Sequence, residues 1–445
     1  MKKWFLRLAV VGLLLLCAVS LSTKLLLSKE FLVQEIEDSI NSRVQVGEMD
    51  VSLFSVPAKV TLKNVLLAKR DSVADEKVDY SDRNELKSGV ITLESVSFEV
   101  SLWELISKKI AVESFDLDGL HANVVLHEDG SNSLDELFAE PEKEEKKDSG
   151  KKKEKKSFNA KDKEEFVTEL KSVNISNVSC DLLIEKTGIL VKGSNGTLSL
   201  NDIKVDPNQL EVVNQANLVL ALQLKVYDGV GMETEFAELG IDGAALTQLF
   251  DPKTGEIDPN VEFDFQISES AYVSSDVPYV QKIWAKGAKL EKVGIKLGSL
   301  PEKAVFGRDR KLAGSYKRGR VDLADDISIM VDEWEIAANK GSWLDSGSEQ
   351  HEFFIDVCAS KKSTASLVKH SSKLLKKLPR ELRGDMEKTL FGDLMKNGKV
   401  TLSLHTSNSL SSPKVRSLTK LPEVKKLIKN AAKKGALDFL LKKLK

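Results

Sequence analysis

The stretch NLVLALQLKV, residues 217–226, places Leu218, Leu220, Leu222, Leu224 and Val226 at every second position. Side chains alternate across a β-strand, so this spacing gathers all five on one face, while a helix would scatter them around its circumference. The same period recurs at Val96, Phe98, Val100 and Leu102, and at Val261, Phe263, Phe265 and Ile267. It returns at Ile327, Ile329 and Val331, at Phe353, Ile355 and Val357, and at Val400, Leu402 and Leu404. Strands with one dry and one wet face belong to antiparallel sheets. The expected fold is therefore mainly β, mostly antiparallel, with a few added helices.

Those helices are expected where the period changes. Phe31, Leu32, Ile36 and Ile40 lie at helical spacing within 30–43. Residues 166–173, FVTELKSV, read as a brief helix. Residues 279–290 put Val280, Ile283, Trp284 and Gly287 on one side, and 366–378 gather Leu367, Leu374, Leu375 and Leu378. GSNG at 193–196 reads as a turn between strands.

Two segments stand apart by charge. Residues 140–165 are almost wholly charged and cannot repay the entropy of ordering, so they read as a flexible linker or long loop. A solvated spacer and a polybasic patch at Lys151–Lys156 against anionic lipid are both open readings. Residues 414–445 carry eleven Lys and Arg against Glu423 and Asp438, with apolar stripes before and after Gly435. They read as a basic amphipathic helix, either on an anionic lipid surface or envelope protein, or packed on the sheet.

The N-terminus has Lys2, Lys3 and Arg7 ahead of an uncharged apolar run over 8–22, and apolar character resumes at Leu25–Leu27. The basic flank keeps the N-terminus cytoplasmic and sends the rest of the chain across the membrane. At 1.5 Å per residue the run covers roughly 22 Å, which suits a signal peptide as well as an anchor. The weak cleavage site at SLSTK and the snorkelling range of Arg7 and Lys24 point to an uncleaved single-pass anchor using residues 8–27.

The bulk composition narrows the functional classes. Lys and Arg number 66 against 68 Asp and Glu, a net charge of -2 that argues against a nucleic-acid binder. Mean hydropathy of -0.20 excludes a polytopic membrane protein. The three cysteines, Cys17, Cys180 and Cys358, form no CxxC; two buried free thiols or one Cys180–Cys358 disulfide remain open. No G-x-S-x-G occurs, GDLMKNGK at 392–399 has the wrong spacing for a phosphate loop, and the five histidines are scattered. No catalytic set, metal site or cofactor site is indicated, so a non-enzyme is expected.

The order of elements over 30–138 carries more information than any one motif. Arg43 to Phe54 spans RVQVGEMDVSLF, Leu62 to Val65 spans LKNV, Ser101 to Ile106 spans SLWELI, and Val112 to Leu120 spans VESFDLDGL. Together with the N-terminal apolar run, and with SNSLSSPKV at 407–415 ahead of the basic tail, this resembles the AsmA-like family of Gram-negative envelope proteins. That resemblance implies an inner-membrane anchor, a periplasmic body and kinship with chorein-like and TamB-type bridge lipid carriers. It also implies a long, curved sheet forming an apolar trough. The expected organisation is an anchor at 1–29, an AsmA-like β region at 30–139, the charged segment at 140–165 and a β-rich region at 166–360. A helical segment plus strand at 361–413 and the basic helix at 414–445 complete it.

The expected trough lining is Val96, Phe98, Val100, Leu102, Leu218, Leu220, Leu222, Leu224, Phe263 and Phe265. The partner implied is phospholipid or another acyl-chain lipid, bound or transported, or handled in support of outer-membrane assembly and homeostasis. A non-catalytic anchored scaffold, its apolar face sealed by its own helices, is the alternative.

Overall fold

A computed structural model describes residues 28–52, 55–70, 83–101, 109–138, 167–206, 209–255, 257–287, 299–307, 310–345, 348–375, 391–392, 394–410 and 412–419. The anchor segment 8–27, the charged segment 140–165 and all but the first residues of the C-terminal helix, as expected from the sequence, lie outside them. Among the described residues no helix is long and apolar enough to cross a membrane.

The described chain is mainly β. Its elements begin with α1 (Lys29–Ser39), β1 (Ser42–Ser52), β2 (Ala58–Lys69), β3 (Ile91–Ser101), β4 (Lys109–Asp118), β5 (His121–Leu126) and α2 (Ser133–Leu137). There follow β6 (Val167–Leu170), β7 (Val173–Ile184), β8 (Ile189–Val205), β9 (Asn214–Tyr227), β10 (Glu235–Phe250), β11 (Ile257–Ile267), β12 (Tyr272–Ser274) and α3 (Pro278–Gly287). Then come β13 (Lys303–Phe306), β14 (Lys311–Lys317), β15 (Arg320–Leu323), β16 (Ile327–Val331), β17 (Trp334–Ala338), β18 (Trp343–Asp345) and β19 (Gln350–Ala359). The last are α4 (Lys361–Leu375), β20 (Met395–Lys396), β21 (Lys399–Ser409) and β22 (Lys414–Ser417). The chain divides into two compact units, 1–224 with 242–261 and 225–241 with 262–445, so β9, β10 and β11 contribute to both.

In the first unit β1 to β4 pair antiparallel in sequence order, and the apolar positions meet across the strands. Leu62 faces Val96, Val96 faces Leu117, Leu117 faces Ile175 and Ile175 faces Leu198. One row away Val60, Phe98, Phe115, Val173 and Leu200 do the same. Cross-strand apolar pairs of this kind are what stabilise a sheet face. At its β1 end the face is covered: α1 brings Leu32, Val33 and Ile36 into the cluster of Val44, Val46, Leu62 and Phe98, and Leu137 and Phe138 enter it from α2.

Three pairings depart from a simple meander. β6 and β7 run parallel to β4, and β7 runs parallel to β5. Parallel neighbours need a crossover of a dozen residues or more. The charged segment lies inside that crossover, so the strands on its two sides belong to one sheet. The expected helix at 166–173 is instead strand β6 and the start of β7. Val167, Leu170 and Val173 fit a helical spacing, but the backbone of β4 supplies a ladder that overrides the local preference.

The expected turn at 193–196 is also corrected: β8 continues through it, and Asn195 takes a left-handed backbone with φ 51 in mid-strand. Asn64 (φ 53) does the same in β2 with the register kept on both sides of it, and Asn177 (φ 52) in β7, where, as at Asn195, the β7–β8 register shifts into a bulge. Such bulges bend a strand and increase its twist. Gly119 (φ 65) follows β4, where an added Cβ would lie 2.2 Å from Glu94 Cγ.

Residue Glu37 ties α1 to the sheet. It is buried, and its carboxylate accepts from the Val44 N–H at 2.8 Å and from Arg83 Nη1 at 2.6 Å. Removing one partner of a buried pair leaves the other uncompensated, so Glu37→Ala should cost about 3 kcal/mol. A lowered urea midpoint, with a smaller drop for Glu37→Gln, is the expected outcome; an unchanged midpoint in both would contradict it.

In the second unit β12, β13, β16, β17, β19, β21 and β22 form an antiparallel succession. Lys414–Ser417, expected to open the C-terminal helix, is strand β22, because Val415 and its neighbours complete the ladder on β21. The core joins Val331, Trp334, Ile336, Ile355, Val357, Leu402 and Leu404 to Ile283 and Trp284 of α3, with Leu367 and Val368 of α4 packed against it. Helix α3 buries Val280, Ile283, Trp284 and Gly287, the four positions its spacing puts on one side. Its Tyr279 hydroxyl bonds Thr406 Oγ1, and the ring stands edge-on to His351. Burial holds the Tyr279 hydroxyl above its ordinary range and the His351 imidazole below its own, so both are neutral there.

Candidate functional site

The apolar rows of the first unit continue from β4 onto β7, β8 and β9. Leu218 packs against Val173, Leu200 and Ala216, with Ile175, Leu198 and Ile203 around them. Strand β9 runs antiparallel to β8, as the bonds from Asn195 to Gln223 (2.9 Å) and from Asn217 to Asp202 (2.8 Å) require. Those two bonds join the wet face. On the dry face β8 presents Gly193 and Gly196 opposite Cys180 and Val178, and Leu222 Cδ1 lies over the depression they leave. A Cβ at Gly196 would meet Leu222 Cδ1 at 3.1 Å, so the glycines admit the leucine.

Residues Leu218, Leu220, Leu222 and Leu224 are all half-buried. The described helices make their main contacts elsewhere, α1 with β1, α2 with β2 and β5, α3 with β22, and α4 with β19 and β21. The β9 row is thus an aliphatic face that no described helix is seated on. Cys180 is its titratable group, and burial raises the thiol above its ordinary range, which keeps it neutral. Neither Cys180 nor Cys358 forms a disulfide.

The other expected lining residues are placed differently. Val96 and Phe98 are on the same rows, but they are buried in the cluster that α1 and α2 cover, Phe98 against Phe115 at 4.9 Å between ring centroids. Val100 is buried beside Val112 and Leu170. Leu102 lies outside the described residues. Phe263 and Phe265 belong to the second unit, stacked on each other at 5.1 Å, with Phe263 over Gly314. The structure therefore gathers Leu218 to Leu224 with Val173, Val178, Ile175, Leu198 and Leu200, which the sequence reading did not include. The signal for these was present in the alternation VNIS and TLSL, but it does not say which strands become neighbours.

Polar chemistry on the other face is local. His121 Nδ1 contacts Ser179 Oγ at 2.8 Å and His127 Nδ1 contacts Glu185 at 3.0 Å. Among the described residues no group of three His, Cys, Asp or Glu is placed to hold a metal ion. A half-covered aliphatic surface of this kind can hold hydrocarbon. Ten methylenes covered on one side would gain about 4 kcal/mol, half the full-burial value of about 0.8 kcal/mol each. No family model, curated protein or solved structure matches the chain.

Proposed function

We propose that this chain is a lipid-binding protein of a Gram-negative-type envelope, AsmA-like in kind, anchored in the inner membrane through residues 8–27 with its bulk in the periplasm. It binds or helps transport phospholipid, or supports outer-membrane assembly, through an apolar β-trough, and it is not an enzyme. The observation that carries this reading is the Leu218–Leu224 row. Contiguous aliphatic faces on soluble domains mark interaction sites, and this one continues a covered core onto strands on which no described helix is seated.

A second reading, an anchored scaffold, draws on the second unit, where α3 seats Ile283 and Trp284 on the sheet. The two part on whether lipid touches β9. With a photoreactive phenylalanine analogue at Leu222 of the full chain, in membranes carrying phosphorus-radiolabelled phospholipid, light should attach label to the protein. The same analogue at Val219, 48% exposed on the opposite face of β9, should not. Equal labelling, or none at either site, would favour the scaffold.

A further inference from the structure

We propose that helix α3 is an acid-released latch on the second unit, and that His351 is the group that senses the pH. The His351 ring is 2% exposed on the core face of β19, and Thr406 beside it on β21 is fully buried. Its Nε2 lies 3.2 Å from Thr406 Oγ1 and 3.4 Å from the Tyr279 hydroxyl, which itself bonds Thr406. Tyr279 belongs to the first turn of α3, so these three groups form a polar joint between helix and sheet. Elsewhere α3 holds on through the burial of Val280, Ile283 and Trp284.

The joint suits a neutral ring. Nε2 faces two hydroxyl groups, each able to donate or accept, whereas Nδ1 is buried and makes no hydrogen bond. The rings of Phe353 and Tyr279 stand around it, their centroids 4.8 and 5.6 Å away. Protonation would put an N–H on both nitrogens, and the one on Nδ1 has no acceptor in bonding geometry. A buried charge without its partners is costly. Burial is accordingly the main influence on His351 and holds it below its ordinary range. The backbone of Asn408, opposite it on β21, favours the charged form more weakly, and the charge of His405 opposes it. The other elements packed there bring no cation partner: β18 sets Leu344 opposite the ring, and Val415 of β22 lies opposite Thr406. Of the carboxylates nearest in sequence, Glu349 lies ahead of the strand, and Glu352 pairs with His405 on the far face at 2.9 Å.

With α3 seated, the ring stays neutral; with α3 lifted, it meets water and titrates near its ordinary value of about 6.5. The seated state therefore keeps its full stability above that value and loses it as the pH falls below. For one proton the opening equilibrium shifts by up to about tenfold per pH unit. The helix gives way before the strands do. Wetting the ring from the other side means parting β19 from β21 along a ladder that runs from Gln350 to Cys358. Lifting α3 costs one short helix, and it bares the sheet at Trp334, Ile336 and Leu402, which share a cluster with Ile283 and Trp284. This inference depends neither on the anchor nor on lipid at the β9 face.

Hydrogen exchange of the full chain, read by mass spectrometry from about pH 7.5 to about pH 5.5, brackets the histidine range. Each amide rate is divided by its intrinsic rate at the same pH. Protection over Pro278–Gly287 should fall as the pH drops, by up to about tenfold per unit, and a hydrophobic dye should bind in step. Strands β1 to β4 should stay protected. His351→Phe keeps a ring without a titrating nitrogen and should abolish the response; His351→Gln does the same should the Phe variant not fold. His405→Gln should keep the response. Protection of α3 that ignores pH in the parent chain would overturn the proposal. A response that survives without His351, or that vanishes in His405→Gln, would place the sensor elsewhere and overturn it too. Loss of protection in both units together would overturn it in favour of general acid unfolding.

Discussion

Changing Leu220 and Leu222 together to Asp will strip phospholipid from the chain while leaving it folded. Both side chains are half-buried on the dry face of β9, so each new carboxylate can turn its oxygens to water. The folding cost stays well below that of a core charge for that reason. The cost to a bound acyl chain is larger. A one-sided contact of ten methylenes contributes about 4 kcal/mol, and two ionised groups in its path keep water where hydrocarbon would lie. Losing only a third of that energy is about a tenfold drop in occupancy.

Residues 28–445, purified without detergent, should carry phospholipid by mass spectrometry, and the double variant should carry at least about tenfold less at an unchanged far-ultraviolet circular dichroism spectrum. Lipid retained by a folded variant would move the site off β9. A folded, lipid-free parent chain would remove the carrier reading and leave the scaffold.

How much of this was legible in the sequence depends on which physical term decided each feature. Period-2 runs such as Phe353–Val357 and Val400–Leu404 announced their strands, because a face that must be dry writes itself into alternate positions. Helix α3 announced its buried side equally well through Val280, Ile283 and Trp284. Where a local signal served two structures, the reading failed. Gly-Ser-Asn-Gly suits a hairpin turn, yet here it makes a bulge, with the turn placed instead at residues 185–188. FVTELKSV has helical spacing, yet a neighbouring strand claimed its backbone.

The candidate site shows the same division. Alternation identifies the face that is dry, but not the element that dries it. Val96 and Leu222 obey one pattern; only the folded chain shows that α1 belongs to the cluster of the first and that the second faces two glycines. The parallel return of β7 onto β4, set by a crossover rather than by any strand's own residues, is what carries the apolar rows from one to the other.

Replacing Trp284 by Ala will have the largest effect on the second unit, at about 3–5 kcal/mol, the range for deleting a buried Trp side chain. Trp284 is 9% exposed and shares its cluster with Ile283, Val331, Trp334, Ile336 and Leu402. Helix α3 spans only Pro278–Gly287, too short to be stable without packing. Its polar attachment, the Tyr279 hydroxyl with Thr406 and, at 3.4 Å, His351 Nε2, cannot replace an indole's worth of buried area. Hydrogen exchange should therefore speed up first at the β19 and β21 amides, and a hydrophobic dye should bind the exposed sheet. Tyr279→Phe, which keeps the ring, should cost far less. If Trp284→Ala instead left exchange and dye binding unchanged, α3 would be resting on the sheet rather than sealing it. The apolar face of the second unit would then be as open to lipid as the β9 row, and the scaffold reading would lose the observation that favours it.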